Sequence, residues 1–166
     1  MRKLIDGLEI AARAGVGLSF GLLILSVLAQ LLGRSGWIAA PIWTEEAARY
    51  CLLFLAAFGA GLALRSGDMV NVDLVSESLP EPWPWRLRLV SAVTVAGLCL
   101  ILLPSAWFYT SIGARQTAPA LGIRMDLIHG SVFLLLLLLG LFAALRVVAM
   151  LTGDEDGRAI KTEGAD

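Results

Sequence analysis

Charge is scarce in this chain: 16% of its 166 residues are Asp, Glu, Lys or Arg, where soluble domains carry about 25%. The formal net charge is −1, so no basic field exists to hold nucleic acid. There is one histidine, His129, which excludes a bis-histidine haem within the chain. The two cysteines, Cys51 and Cys99, stand singly in apolar runs with no CxxC. That argues against a disulfide framework, a thiol relay and a cysteine zinc site. No HExxH, P-loop, dinucleotide loop or nucleophile–base constellation is present, so neither an enzyme nor a cofactor is expected.

What the chain has is apolar length. Hydrophobic residues make up 58% of it, and the mean hydropathy is +0.79. Four runs, at 14–32, 47–64, 87–107 and 127–148, are long enough to cross a bilayer, which takes roughly 20 helical residues. Backbone groups in lipid must be satisfied within their own segment, so runs of this kind are helices. The expected fold is an all-α integral membrane protein of four transmembrane helices with short interfacial amphipathic helices. Residues 1–150 form that unit, and the polar stretch 151–166 is expected to be a disordered cytoplasmic tail.

Lys and Arg set the orientation. Arg2, Lys3, Arg13, Arg65, Arg86, Arg88, Arg146, Arg158 and Lys161 fall on one side; Arg34, Arg49, Arg115 and Arg124 fall on the other. Both termini are therefore expected to be cytoplasmic. A cleaved signal peptide ending at Ala29 is the rival reading of the N-terminus. Asp6 and Glu9 in its basic region, and an apolar run continuing through Leu32, speak against it.

The rest of the chain is organised around residues 43–73, WTEEAARYCLLFLAAFGAGLALRSGDMVNVD. Thr44 is placed to cap a helix, and Glu45 and Glu46 sit in its first turn, where the helix dipole favours acids. Glu45 to Arg49 is an i,i+4 pair in the favourable order. At about 100° per residue, Glu45, Arg49, Leu53, Ala56, Ala60 and Ala63 lie within roughly ±40° of one line. Small residues on one line mark helix contacts in lipid, and a charge at membrane depth faces protein rather than lipid. Glu45, Glu46, Arg49, Ala56, Ala60 and Ala63 are thus candidates for subunit packing. Either a helix of this chain or another subunit covers them, unless Arg49 only reaches the outer interface and pairs with Glu45. Beyond Leu64, Arg65, Gly67, Val72 and Asp73 belong to a polar elbow, which turns into a short helix on the cytoplasmic face. Residues 2–13 suggest a second such helix before the first span.

Trp37, Trp43, Trp83, Trp85 and Trp107 are expected as interfacial anchors. Gly17 and Gly21 form a GxxxG that permits close helix approach. Pro104 predicts a kink or an early end of the third span. The leucine-dominated fourth span suits a lipid-facing helix, and His129 near its start suits packing or hydrogen bonding rather than ligation.

No span carries an acid at its centre or a pair of facing ionisable groups, the usual marks of a substrate or proton path. A membrane scaffold that packs against something larger is the favoured reading. A small homo-oligomeric efflux transporter is the alternative, and a membrane redox subunit a third.

Three segments in order, WTEEAARY, FGAGLALRSGDMVNVDLV with its following LP, and APALGI before the fourth span, resemble the DctQ-type small membrane subunit of TRAP (tripartite ATP-independent periplasmic) transporters. The resemblance covers residues 10–150. Glu45, Glu46, Arg49, Arg65, Gly67, Val72 and Asp73 stand where that pattern expects them. The chain departs from it in lacking the basic, glycine-rich elbow common there, and in carrying Arg124 and Asp126 after the LGI. The resemblance implies a bacterial inner-membrane protein and two partners. One is a large multi-span permease with the substrate and sodium sites. The other is a periplasmic substrate-binding protein that delivers an organic anion.

Overall fold

A computed structural model describes residues 2–36, 42–66 and 83–153 of the chain. Its four helices are α1 (Arg2–Arg34), α2 (Trp43–Ser66), α3 (Trp83–Gly113) and α4 (Met125–Thr152). All four are long and apolar enough to cross a membrane, and the chain is an all-α, multi-pass membrane protein.

Segment 2–13 is no separate element. It continues without a break into the first span, giving a helix of 33 residues, about 50 Å at 1.5 Å per residue. Nothing between Arg2 and Arg34 supplies a proline to end it. Pro104 does not end α3 either, and the helix runs on to Gly113. In lipid, local adjustment and neighbouring helices make good the hydrogen bond that the ring removes.

Among the described residues, helix backbones approach one another in three pairs: α1 with α2, α2 with α4, and α4 with α3. The order across the layer is therefore α1–α2–α4–α3. The leucine-rich α4 is central in this row and not a lipid-facing edge: it buries Ile128, Ser131, Leu138, Phe142, Ala143 and Met150. Lipid is as apolar as leucine, so leucine content does not choose neighbours; close packing does.

Glycines at the contacts display that choice. A Cβ on Gly61 of α2 would stand 2.7 Å from the Phe142 ring, and one on Gly140 of α4 would stand 2.9 Å from the Cβ of Cys99. Gly15 of α1 lies equally close to the Phe58 ring. Gly17 and Gly21, the GxxxG pair, face open space.

Around the C-terminal end of α2, Leu64, Phe142 and Ala143 form a buried cluster that takes in Leu8 of α1 and Val95 and Ala96 of α3. At the other end Tyr50, Ala118 and Ile128 cluster with Phe54, Leu121 and Met125. The elbow residues Gly67, Val72 and Asp73, the anchor Trp37 and the tail from 154 onward lie outside the described residues.

Candidate functional site

The site with most structure is where the start of α2 meets the α3–α4 loop. That loop folds as a small closed hairpin. Ala118 N–H donates to Ile123 O at 2.8 Å, Gly122 N–H to Ala118 O at 2.9 Å, and Met125 N–H to Gln116 O at 3.0 Å. Gly122 adopts a φ of +65°, the left-handed conformation in which glycine carries no Cβ penalty. The hairpin is the APALGI segment with its flanks.

Glu46 holds this hairpin onto α2. Its Oε2 accepts the backbone N–H of Ala120 at 2.9 Å and of Leu121 at 2.8 Å. Its Oε1 accepts the Tyr50 hydroxyl at 2.7 Å. Tyr50 is buried, and its hydroxyl also lies 3.6 Å from the Met125 sulfur. A carboxylate taking two neighbouring amides and a phenol forms charge-assisted bonds, the stronger class of hydrogen bond. The first and third of the three ordered motifs therefore meet in space. Sequence reasoning assigned Glu46 to packing but passed over Tyr50. The signal available was the i,i+4 spacing of an acid and a tyrosine.

Across the hairpin's far side, Arg124 clasps Asp126 through Nη2–Oδ2 at 2.6 Å and Nε–Oδ1 at 3.3 Å. Asp126 Oδ1 accepts the Leu127 N–H at 3.0 Å. An acid here suits the positive end of α4. The α3 end of the loop is equally tight, because a Cβ on Gly113 would lie 2.6 Å from His129 Nδ1 and 2.8 Å from the Asp126 nitrogen. His129 stacks on Tyr109, with ring centres 4.1 Å apart and planes at 24°.

The opposite end of α2 is fastened by basic groups. Arg146 of α4 donates through Nη1 to the Leu64 carbonyl at 3.4 Å, bringing a cation to the negative end of the helix. Arg65 Nε lies 3.3 Å from Glu9 Oε1 of α1, an ion contact without hydrogen-bond alignment. Glu9 also pairs with Arg13 at 3.6 Å.

The line of α2 singled out from sequence is a different face from its intrachain contact face. Tyr50, Ala57, Gly61 and Leu64 are buried against neighbours, while Glu45, Arg49 and Ala56 are exposed and Ala60 and Ala63 half-buried. Glu45 and Arg49 form no ion pair with each other among the described residues. Thr44, expected as the cap, sits inside the first turn and is 1% exposed. Of the expected anchors, Trp43, Trp83 and Trp107 are exposed and Trp85 is half-buried. A cleft of about 190 Å³ between α3 and α4 is lined by Cys99, Leu100, Leu103, Leu136, Gly140 and Ala144 among others. Its walls carry almost no polar surface with which to select a polar solute.

These features agree with a comparison across known proteins. Residues 23–153 match the family of tripartite ATP-independent periplasmic transporters, DctQ component. The chain belongs to the DctQ family. DctQ proteins are transporter components, and the matched region takes in α2, the hairpin and α4.

Two relatives are informative. One, from Haemophilus influenzae and described by name as a TRAP transporter small permease protein, is 24% identical over 108 residues, or 65% of this chain and 67% of that protein. The other, the sialic acid TRAP transporter small permease protein SiaQ of Vibrio cholerae, is 32% identical over 79 residues. That match spans 47% of this chain and 44% of the relative, less than half of its length.

Proposed function

We propose that this DctQ chain is the bracing subunit of a sodium-coupled importer in a bacterial inner membrane. It packs against a large multi-span permease that carries the substrate and ion sites. A periplasmic binding protein supplies an organic acid. Family membership carries the reading, and the open row of helices supports it. A single layer with no ionisable group at mid-span is suited to lean on a partner rather than to enclose a path. The sialic acid named for one relative supports a carboxylate as the substrate class.

The docking face in this reading is the line of α2 that runs from exposed Glu45, Arg49 and Ala56 to half-buried Ala60 and Ala63. Arg49 stands at its head, unpaired within the described chain, with Ala56, Ala60 and Ala63 below, where a partner helix approaches closely. Glu45 flanks Arg49, and Glu46 keeps the outer end of the face rigid. The elbow Arg65, Gly67, Val72 and Asp73 leads into a cytoplasmic brace, and both termini lie on that side.

Co-expression with a large multi-span permease of the same transporter class tests this. A tag on this chain is expected to recover the large subunit, and organic-acid uptake is expected to stop when this chain is deleted. Recovery of a stable homo-oligomer that transports by itself would overturn the proposal.

A further inference from the structure

Among the described residues, Arg88 is a buried side chain whose charge meets no ion-pair partner. It is 6% exposed, its Nε has no hydrogen-bond partner, and it takes part in no ion pair among the described residues. Burying a guanidinium without a counter-charge is costly, so such a group is normally matched by an anion. The described chain provides none, and its position indicates where one comes from.

Arg88 lies on the same face of α3 as Pro84 and Ala92, which are also buried. Helical Cα–Cβ bonds lean toward the N-terminus, so this side chain runs back to the start of α3. The first turn there contains no acid, and the backbone at a helix's start carries a partial positive charge. Arg86, two residues before Arg88 and on a different face of the helix, places its guanidinium 5.9 Å from the centre of the Trp83 ring, and Trp83 is 52% exposed. Indoles of this kind sit at headgroup depth. The 31 residues of α3 span about 46 Å against a hydrocarbon thickness of about 30 Å, leaving about 8 Å beyond each edge. Arg88 is five residues from the start, about 7.5 Å along the axis, and therefore at the boundary between hydrocarbon and headgroups.

We infer that the start of α3 is a binding site for the phosphate of an anionic lipid, with Arg88 as its buried counter-charge and the first-turn N–H groups other than Pro84's beside it. Basic pockets at helix ends favour anionic headgroups, and a guanidinium fits a phosphate bidentately. The site is independent of the large permease and does not depend on which side of the membrane α3 begins.

Native mass spectrometry of the full chain in neutral-lipid nanodiscs, titrated with phosphatidylglycerol, tests the inference. The wild-type chain is expected to retain phosphatidylglycerol over phosphatidylcholine. Arg88→Gln is expected to weaken retention at least about tenfold. Arg88→Lys keeps the charge but loses the fork, and is expected to fall between the two. Arg13→Gln, which removes an exposed cation already paired with Glu9, is expected to bind as the wild type does. The part of the tryptophan quenching that Trp83→Phe removes is expected to be larger with brominated phosphatidylglycerol than with brominated phosphatidylcholine, a second readout that does not require Arg88→Gln to fold; equal quenching of Trp83 by the two lipids would count against the site. Three results would overturn the inference: equal retention by wild type and Arg88→Gln, displacement of the lipid by equimolar inorganic phosphate, or Arg88 paired with a carboxylate of a partner subunit in the assembled complex.

Discussion

Glu46 and Leu121, 75 residues apart in the chain, are joined by a 2.8 Å hydrogen bond from backbone amide to carboxylate. The same carboxylate takes Ala120 N–H and the Tyr50 hydroxyl, so one acid at the head of α2 fixes the α3–α4 hairpin. Glu46→Gln keeps one acceptor oxygen and is expected to speed hydrogen exchange at the Ala120 and Leu121 amides. Amides in the middle of α4 should be unchanged. Tyr50→Phe leaves both amide bonds in place, so a smaller acceleration is expected. Unchanged exchange at Leu121 in Glu46→Gln would contradict the role given to this acid.

At the other end of the helix, Arg146 is expected to matter through the Leu64 carbonyl. Arg146→Ala removes a charged donor from a helix C-terminus, a loss of about 1 kcal/mol. A lower midpoint of thermal unfolding in detergent is the measurement. Arg146→Lys retains the charge and should recover part of the loss.

The glycines divide into two classes that a mutational series should separate. Gly140→Ala drives a methyl group against Cys99, and Gly61→Ala drives one against Phe142. Overpacking of this kind costs about 1–3 kcal/mol. Gly17→Ala and Gly21→Ala meet open space and should be neutral or stabilising by about 0.5–1 kcal/mol, since alanine is the better helix former. Equal losses at all four positions would mean that α1 is packed through its GxxxG face.

Arg49 separates assembly from folding. Arg49→Ala should leave the melting temperature of the isolated chain within about 2 °C, since the exposed side chain makes no ion pair there and such changes fall within about ±0.5 kcal/mol. It should nevertheless reduce recovery of the large subunit, where Lys161→Ala does not. Equal recovery from both variants would remove Arg49 from the proposed docking face.

Much of the fold was legible because lipid imposes a simple rule: long apolar runs must be helices, and four of them were plain. Their neighbours were not. A leucine run is compatible with the edge or the centre of a layer, and only the approach of Gly140 to Cys99 and of Gly61 to Phe142 places α4 between α2 and α3. The GxxxG motif named no neighbour for the same reason, since a small residue permits close approach without requiring it. At the candidate site, two of the ordered motifs are segments that meet in the structure, but the motifs do not reveal that Glu46 reaches the backbone amides of the APALGI segment. Backbone donors carry no residue signature, so a carboxylate that binds them leaves no pattern in sequence beyond its own presence. Tyr50, beside it, was hidden in the apolar periodicity of its helix.

A row of helices has a long perimeter. Leu100 and Ile101 on α3 are 70% and 75% exposed, and Leu18 and Leu25 on α1 are 67% and 63% exposed. Exchange of these residues for other apolar types should therefore pass unnoticed by the chain's own folding. Where such positions nonetheless prove restricted among DctQ relatives, the restriction records the shape of a neighbour, and a map of tolerated changes around the perimeter becomes a footprint of whatever stands beside it in the membrane.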